Sequence, residues 1–459
     1  MLNRKNIVQL YLTSIIVCTT VLLHAQSNYV AGNNASAGSG TQNTVVGADA
    51  GSTSSSGSSN SFFGRQSGSS ITTAHFNSFF GDESGFSHTT GFGNSFFGHR
   101  AGFSNTTAGS HSFFGDQAGL NNTTGSGNSF FGARSGRDNI SGSNNCFFGS
   151  AAGRDNTTAF DNSFFGSSAG RSNTTGANNS FFGRQSGVNN TEGSNNSFFG
   201  KDSGLRNTEG FSNSFVGSSS GFSNTTGFSN SFVGSNSGPS NTTGGSNSFL
   251  GSFSGFSNMT GAENTFVGSN SGRDNTTGGN NSFFGRSAGR FITSGSNNVI
   301  IGSSAGPSSA NAEISNRLFI DVTESSNDDP LIYGEFDNDF VRINGTFEVT
   351  AGLTNPSSRT LKNQFVSLDA STILAKLAAL DIQQWTYIDR PEEKHVGPVA
   401  EDFYAAFGLG QGDQNISTID ADGIMMLALQ ALQKENQGLR EQNAMIMKRL
   451  EALEHTADK

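Results

Sequence analysis

The chain has 459 residues and a formal net charge of −10, with 61 Gly and 42 Phe against one Trp and six Pro. Too little Leu, Ile and Val is present for several ordinary globular cores, while so much Phe excludes a disordered Gly/Ser linker, which has nothing apolar to bury. Charged residues are sparse and form no basic stripe, which excludes a phosphate-neutralising surface for nucleic acid and leaves a repetitive fold.

The chain starts with Met-Leu-Asn-Arg-Lys, followed by an apolar run from Ile7 to Leu23 and then His24, Ala25 and Gln26. Residues 1–25 read as a secretory signal peptide cleaved after Ala25, which predicts a secreted or cell-surface protein with no membrane span in the mature chain. An uncleaved anchor is the alternative, because the run barely reaches the ~20 residues that span a bilayer. A lipid anchor at Cys18 is disfavoured by Val17, which is not a small residue. After cleavage only Cys146 remains, so no intrachain disulfide framework is expected and stability must come from stacking and assembly.

Residues 26–42 form a lead-in, and a repeat occupies 43–309. The glycine that follows an apolar pair recurs every 17 residues from Gly47 to Gly302, giving sixteen copies without insertion or deletion. A second glycine follows four residues later in each copy, from Gly51 to Gly306, and most copies continue into Asn-Thr-Thr-Gly or a close variant, as at Asn122 to Gly125. Glycine every few residues, with Ser, Asn and Thr between, is incompatible with helical repeats. Each unit therefore reads as one β-coil. The apolar segment is a strand, the glycines make turns at positive φ, and the Asn-Thr-Thr segment is a second strand or a corner. Fifteen steps of about 4.8 Å give a rod on the order of 70 Å long. Asn and Thr side chains are placed to form ladders along it. The fold class predicted is mainly β: a solenoid or β-roll rod, a short β-stem, and a small α+β C-terminal domain ending in a coiled-coil helix.

Neighbouring residues of a strand face opposite sides, so of the paired Phe columns one can fill the coil and the other faces outward. An exposed Phe row is an aggregation hazard unless other chains cover it, which points to burial between three chains. The alternative is a bulged strand that turns both rings inward. Asn-x-Thr triplets formally match glycan acceptors but read as turn and ladder residues. Asp and Glu are too sporadic within the repeats for a calcium array, so neither a metal nor a cofactor is expected.

These repeats resemble the glycine-rich head repeats of trimeric autotransporter adhesins and, more closely, the "Asn-Thr-Ala-Leu-Gly" repeats of bacterial surface proteins. The first likeness is architectural, since those heads use a shorter repeat and this chain finishes in a polar helix where they carry a membrane β-barrel segment. Residues 310–354 follow as a β-stem, with strands expected at Arg317-Leu-Phe-Ile-Asp, Pro330-Leu-Ile-Tyr-Gly and from Phe340 to Val349.

From 355 to 423 several motifs occur in order: Ser357-Ser-Arg-Thr-Leu-Lys362, Ile373 to Leu380 followed by Gln384-Trp-Thr-Tyr, His395-Val-Gly-Pro-Val-Ala-Glu-Asp-Phe403, and Ile419-Asp-Ala-Asp-Gly423. Together with the terminal helix they resemble the peptidase S74 family, the intramolecular chaperone of endosialidases, phage tail spikes and bacterial surface proteins. In that family a Ser and a Lys five residues downstream form a self-cleavage dyad, so the resemblance assigns those roles to Ser357 and Lys362, with the cut on one side or the other of Ser357. The chemistry suits the pair, because a hydroxyl is a poor nucleophile until a base takes its proton, and a lysine serves as base once burial favours its neutral form. Many cleaving relatives have Asp after the serine, where this chain has the cleavage-adjacent Ser358. Without cleavage, the same residues are a polar linker. His395 is a possible supporting group, or a turn residue ahead of Gly397-Pro398. Any enzyme activity is thus a single self-cleaving turnover, with no external substrate.

Residues 424–459 carry a heptad seam, with d positions at Leu432, Leu439, Ile446 and Leu453 and a positions at Leu429, Asn436, Asn443 and Leu450. Asn in the seam trades stability for register; the resemblance, not the seam, implies three strands. The function expected is a secreted or surface homotrimeric fibre, adhesin-like, assembled by its C-terminal chaperone. A receptor- or polysaccharide-binding spike, with a host or environmental glycan as ligand, is the alternative. For a glycan-degrading version, the rod shows no carboxylate pair that breaks the repeat.

Overall fold

The computed structural model describes residues 28–308, 313–322, 330–350, 356–388, 390–410 and 412–457. The segment read as a signal peptide lies outside the described residues. The chain divides between Glu348 and Val349 into two compact units.

The first unit is a β-solenoid built from the 17-residue period. Its rungs are three-residue strands: β1 (Tyr29–Ala31), β2 (Thr44–Val46), then β3 (Ser61–Phe63) through β16 (Ser282–Phe284), and β17 (Val299–Ile301). Successive strands pair in parallel with like residues opposite, as Ser163, Phe164 and Phe165 lie against Ser180, Phe181 and Phe182. Outside the strands the coils remain bonded to each other: Ser168 N–H donates to Ser150 O at 2.9 Å, Gly170 N–H to Ser186 O at 2.9 Å and Thr174 N–H to Thr191 O at 2.9 Å. The Asn-Thr-Thr segment is thus a corner rather than a second strand, and its threonine hydroxyl reinforces the next coil, as Thr174 Oγ1 donates to Thr191 O at 3.0 Å.

Glycine is required where coils touch. Gly166 has φ +140°, and a Cβ there would lie 2.4 Å from Gly183 O. Gly170 has φ +55°, and its Cβ would lie 2.4 Å from Phe164 Cε2. Both backbone conformation and space exclude a side chain at each.

Four columns fill the coil, one of them the small Ser or Ala before the second glycine, as at Ser135, Ala152 and Ala169. The first Phe of each pair, from Phe62 to Phe283, is buried to 0 or 1% exposure, with successive rings stacked at 4.7 to 5.2 Å between centroids. Each ring contributes about 1.5–3 kcal/mol by leaving water. Two more columns are asparagine. Asn179 N–H donates to Asn162 Oδ1 at 2.9 Å while its amide donates to Gly193 O at 2.8 Å. Across the coil Asn173 donates to Asn156 Oδ1 and to Gly176 O, both at 2.9 Å. These amides are buried to 0% exposure, tolerable because donors and acceptors are used rung by rung. The asparagines of the Asn-Thr-Thr segments, such as Asn122 and Asn156, belong to this second column and do not reach the surface, whereas Asn121, which also fits Asn-x-Thr, is only half-buried.

The second Phe of each pair points outward. Rings from Phe63 to Phe199 stack on one another at 4.5 to 4.9 Å and are half-buried by that stacking alone. The strand does not bulge to bring both rings in. At the C-terminal end β18 (Arg317–Ile320) adds a last parallel rung, β19 (Ile332–Glu335) and β20 (Phe340–Ile343) then turn antiparallel, and Tyr333 closes edge-on against the buried Phe319 at 5.5 Å.

The second unit contains α1 (Ala370–Ala379), the antiparallel hairpin β21 (Gln383–Tyr387) and β22 (Arg390–Gly397), α2 (Ala400–Phe407) and the 40-residue α3 (Thr418–Ala457). Asp369 caps α1 by accepting the Ser371 and Thr372 N–H groups, and those bonds, with the Thr372 and Ser371 hydroxyls, hold its carboxyl down at about 2. Its core is small: Ile373, Phe403 and Ile424, with Leu377, Phe407 and Ile416 packed around them.

Candidate active site

The segment from Ser357 to Lys362 folds through one turn of 3₁₀ helix, Arg359–Leu361. Ser358 begins it: its Oγ accepts the Thr360 N–H at 3.3 Å and shares a hydrogen bond with Thr360 Oγ1 at 2.8 Å. Leu361 N–H then donates to Ser358 O at 3.1 Å and Lys362 N–H to Arg359 O at 3.3 Å. This turn brings a residue five positions downstream back over the first, so that Lys362 Nζ donates to Ser357 Oγ at 2.8 Å. The spacing alone implied proximity; the turn supplies it. A cap role for Ser358 is legible in hindsight from the Ser-x-Thr pattern, and Asp caps a helix start equally well.

A hydroxyl next to a lysine is the arrangement needed for nucleophilic attack, with the neutral amine taking the hydroxyl proton. As drawn, the ammonium donates, which orients Ser357 without activating it. Loss of solvent is what favours the neutral amine. Both residues are exposed in the single chain, as are Leu361 and Phe365 beside them, and the Arg359 guanidinium covers the Phe365 ring at 5.1 Å.

His395 lies elsewhere in the unit. It sits on β22 opposite Trp385, its ring stacked on the indole at 4.7 Å and edge-on to Tyr387 at 5.4 Å. Its Nε2 and the Trp385 Nε1 are buried without a hydrogen-bond partner. The hydrogen bond to Ser357 comes from Lys362, so the structure joins two of the four residues singled out by sequence in a dyad, makes the third the cap between them, and puts His395 in an aromatic cluster.

The seam of α3 is uncovered. Leu429, Leu432, Leu439, Ile446, Leu450 and Leu453 are all exposed, between 45 and 67%. Asn436 in that stripe donates to its own helix, at Leu432 O, 3.0 Å away. Among the described residues no three His, Cys, Asp or Glu side chains are grouped to hold a metal ion, and no helix is long and apolar enough to cross a membrane.

Residues 357–408 match the peptidase S74 family, described as the chaperone of endosialidase. The match begins at Ser357 and takes in Lys362, the hairpin and α2. No curated protein and no solved structure matches the chain.

Proposed function

We propose that this chain is a secreted or surface fibre of three identical copies, in which the solenoid is the shaft and the S74 unit is an intramolecular chaperone that aligns the copies and then releases itself by attack of Ser357 on a neighbouring peptide bond. A chaperone-of-endosialidase domain and a solenoid rod fit a trimeric fibrous protein. The observation that carries the cleavage step is the Lys362–Ser357 hydrogen bond, made by a turn whose geometry has no other evident use. The exposed α3 seam supports the assembly step, since an apolar stripe at heptad spacing buries itself against like helices. Assembly in turn supplies what the dyad lacks: apposed copies take Lys362 and the adjacent Leu361 and Phe365 out of water, which favours the neutral amine. Cleavage is thereby tied to correct alignment. Once the aligning helices are detached, unfolding of the shaft is irreversible, because the unfolded chains have lost the module that aligned them.

Glycan degradation is disfavoured at Asp82 and Glu83, neighbouring carboxylates of one coil. Hydrolysis of a glycosidic bond needs two carboxylates free to act on it. The adjacent Asp82 and Glu83 are both held by Arg65, each at 2.9 Å, and Glu83 also by Arg100 at 2.6 Å.

The test is to express the chain from residue 26 beside Ser357→Ala and Lys362→Ala variants and measure denatured mass and native sedimentation together. A parent that separates at Ser357 while both variants stay whole, all three having formed trimers, is the expected result. A parent that stays whole while trimeric removes the protease and leaves the chaperone; a monomeric parent removes both.

A further inference from the structure

The outward column of the rod is apolar at every one of its sixteen rungs, Val46, then Phe63 through Phe199, then Val216, Val233, Leu250, Val267, Phe284 and Ile301. Two residues farther along each coil the outward position is polar or small and in several coils charged, as at Arg65, Asp82, Asp116 and Lys201. Composition of the repeat therefore does not explain the column; something specific to that face excludes polar side chains. Stacking along the rod hides it only in part: the rings from Phe63 to Phe182 are half-buried, and Phe199 remains 41% and Leu250 52% exposed.

The spacing restricts what can cover it. Nine consecutive rings repeat at 4.5 to 4.9 Å, so a partner that fits between them along the whole rod must share that period. A second copy of this chain has it by construction. The area is also of the right order: a stripe about 70 Å long and about 10 Å wide offers some 700 Å² per chain, against about 800 Å² per partner in a standard stable interface. Polymers of sugar residues present no such run of apolar groups at the rung spacing, and the face carries no carboxylate or amide column beside the rings to orient one.

We propose that this column is the face on which copies of the chain pack on each other, parallel and in register, so that each rung lies level with the same rung of the next copy. The proposal rests on the trimeric reading above. Rotation about an axis along the rods keeps height unchanged, so equivalent residues of three parallel copies meet at one level.

The chain carries its own reporter. In β8 (Cys146–Phe148) cysteine replaces the usual serine, and it stands two residues from Phe148, hence on the same side of the strand as the outward column. Cys146 is free and half-buried, and burial raises its thiol above the ordinary value, so labelling needs mildly alkaline buffer. In register, the Cys146 side chains of neighbouring copies come together at mid-rod.

The experiment treats the native full-length assembly with a short bismaleimide and runs it under denaturing conditions, beside a Cys146→Ser/Thr158→Cys variant whose thiol sits on the exposed corner of the same coil. Sedimentation of both, before labelling, gives the number of copies. Trimers in which Cys146 cross-links in most of the protein and Thr158→Cys does not are the expected result. Trimers that fail to cross-link at Cys146, or that cross-link equally from both positions, overturn the proposal while leaving the trimeric reading intact, and open the face to another occupant such as a glycan. Monomers overturn this proposal together with the reading beneath it.

Discussion

Acid should weaken the rod at one identifiable rung, and replacing His111 by Asn should remove that weakness. His111 is the single departure from Asn in the first interior amide column, which otherwise runs from Asn43 to Asn298. Its ring is 1% exposed and stacked on Phe113 at 4.7 Å. Asn128 N–H donates to its Nδ1 at 3.1 Å, so Nδ1 is an acceptor and the ring proton sits on Nε2, on the side of Asn122 and the Gly125 carbonyl. Protonating Nδ1 would set one N–H against another in a buried site. Burial, with a smaller contribution from the neighbouring His88, lowers the imidazole from 6.5 to about 4. The unfolded chain, with the higher pKa, binds the proton first, so the stability contributed by keeping His111 neutral is complete above about pH 6.5 and is lost as pH falls toward about 4. Taking a difference of about 2.5 pKa units, the loss is about 2 kcal/mol at pH 5 and about 3 kcal/mol at pH 4. Urea unfolding of the parent and His111→Asn at neutral pH and at these two values measures it. Carboxylates elsewhere titrate in both proteins and cancel in the difference, and His88, which is coupled to His111, is replaced by Asn in both proteins compared. If the two stability curves run parallel down to pH 4, the ring is not held neutral by its surroundings and the reasoning is wrong.

Three further outcomes follow from the same geometry. Phe164→Ala should cost about 3–5 kcal/mol, by opening a cavity between Phe147 and Phe181, which stack on it at 4.7 and 4.8 Å, whereas Phe165→Ala on the outward column should cost well under half of that in a single chain; urea denaturation ranks the two. Asn173→Ile should remove the donor to Asn156 Oδ1 and the acceptor of one Asn190 amide N–H, leaving these two buried polar groups unpaired at about 1–3 kcal/mol each, while Gly176 O keeps the Asn162 donor, with faster hydrogen exchange confined to the coils on either side. Leu439→Asp, on the exposed seam of α3, should leave the second unit's core of Ile373, Phe403 and Ile424 folded by circular dichroism yet abolish self-association in sedimentation; retained trimers would show that the seam is not the contact.

Much of the architecture could be read from the residues. The unbroken step of 17 demanded identical units, and glycine at two fixed places in each demanded tight turns, which the structure has at Gly166 and Gly170. The Ser357–Lys362 pair was legible from its spacing and its likeness to a known dyad. Less legible were the buried amides: a sequence rich in Asn and Ser reads as surface, and nothing local marks Asn173 and Asn179 as interior. They are interior because each rung's amide meets an identical amide one rung away, a partner that exists only after stacking.

What the sequence determined by itself, then, is periodicity and the opposition of two Phe columns, since side chains alternate along any strand. Which column goes inside was decided by tertiary structure alone, because the sense in which the coil closes depends on the left-handed turns at residues such as Gln185 and Gly187 acting together around the circuit. The same holds in the second unit. Composition places Ser357 five residues from Lys362, but only a 3₁₀ turn, capped by Ser358, carries the amine back to the hydroxyl.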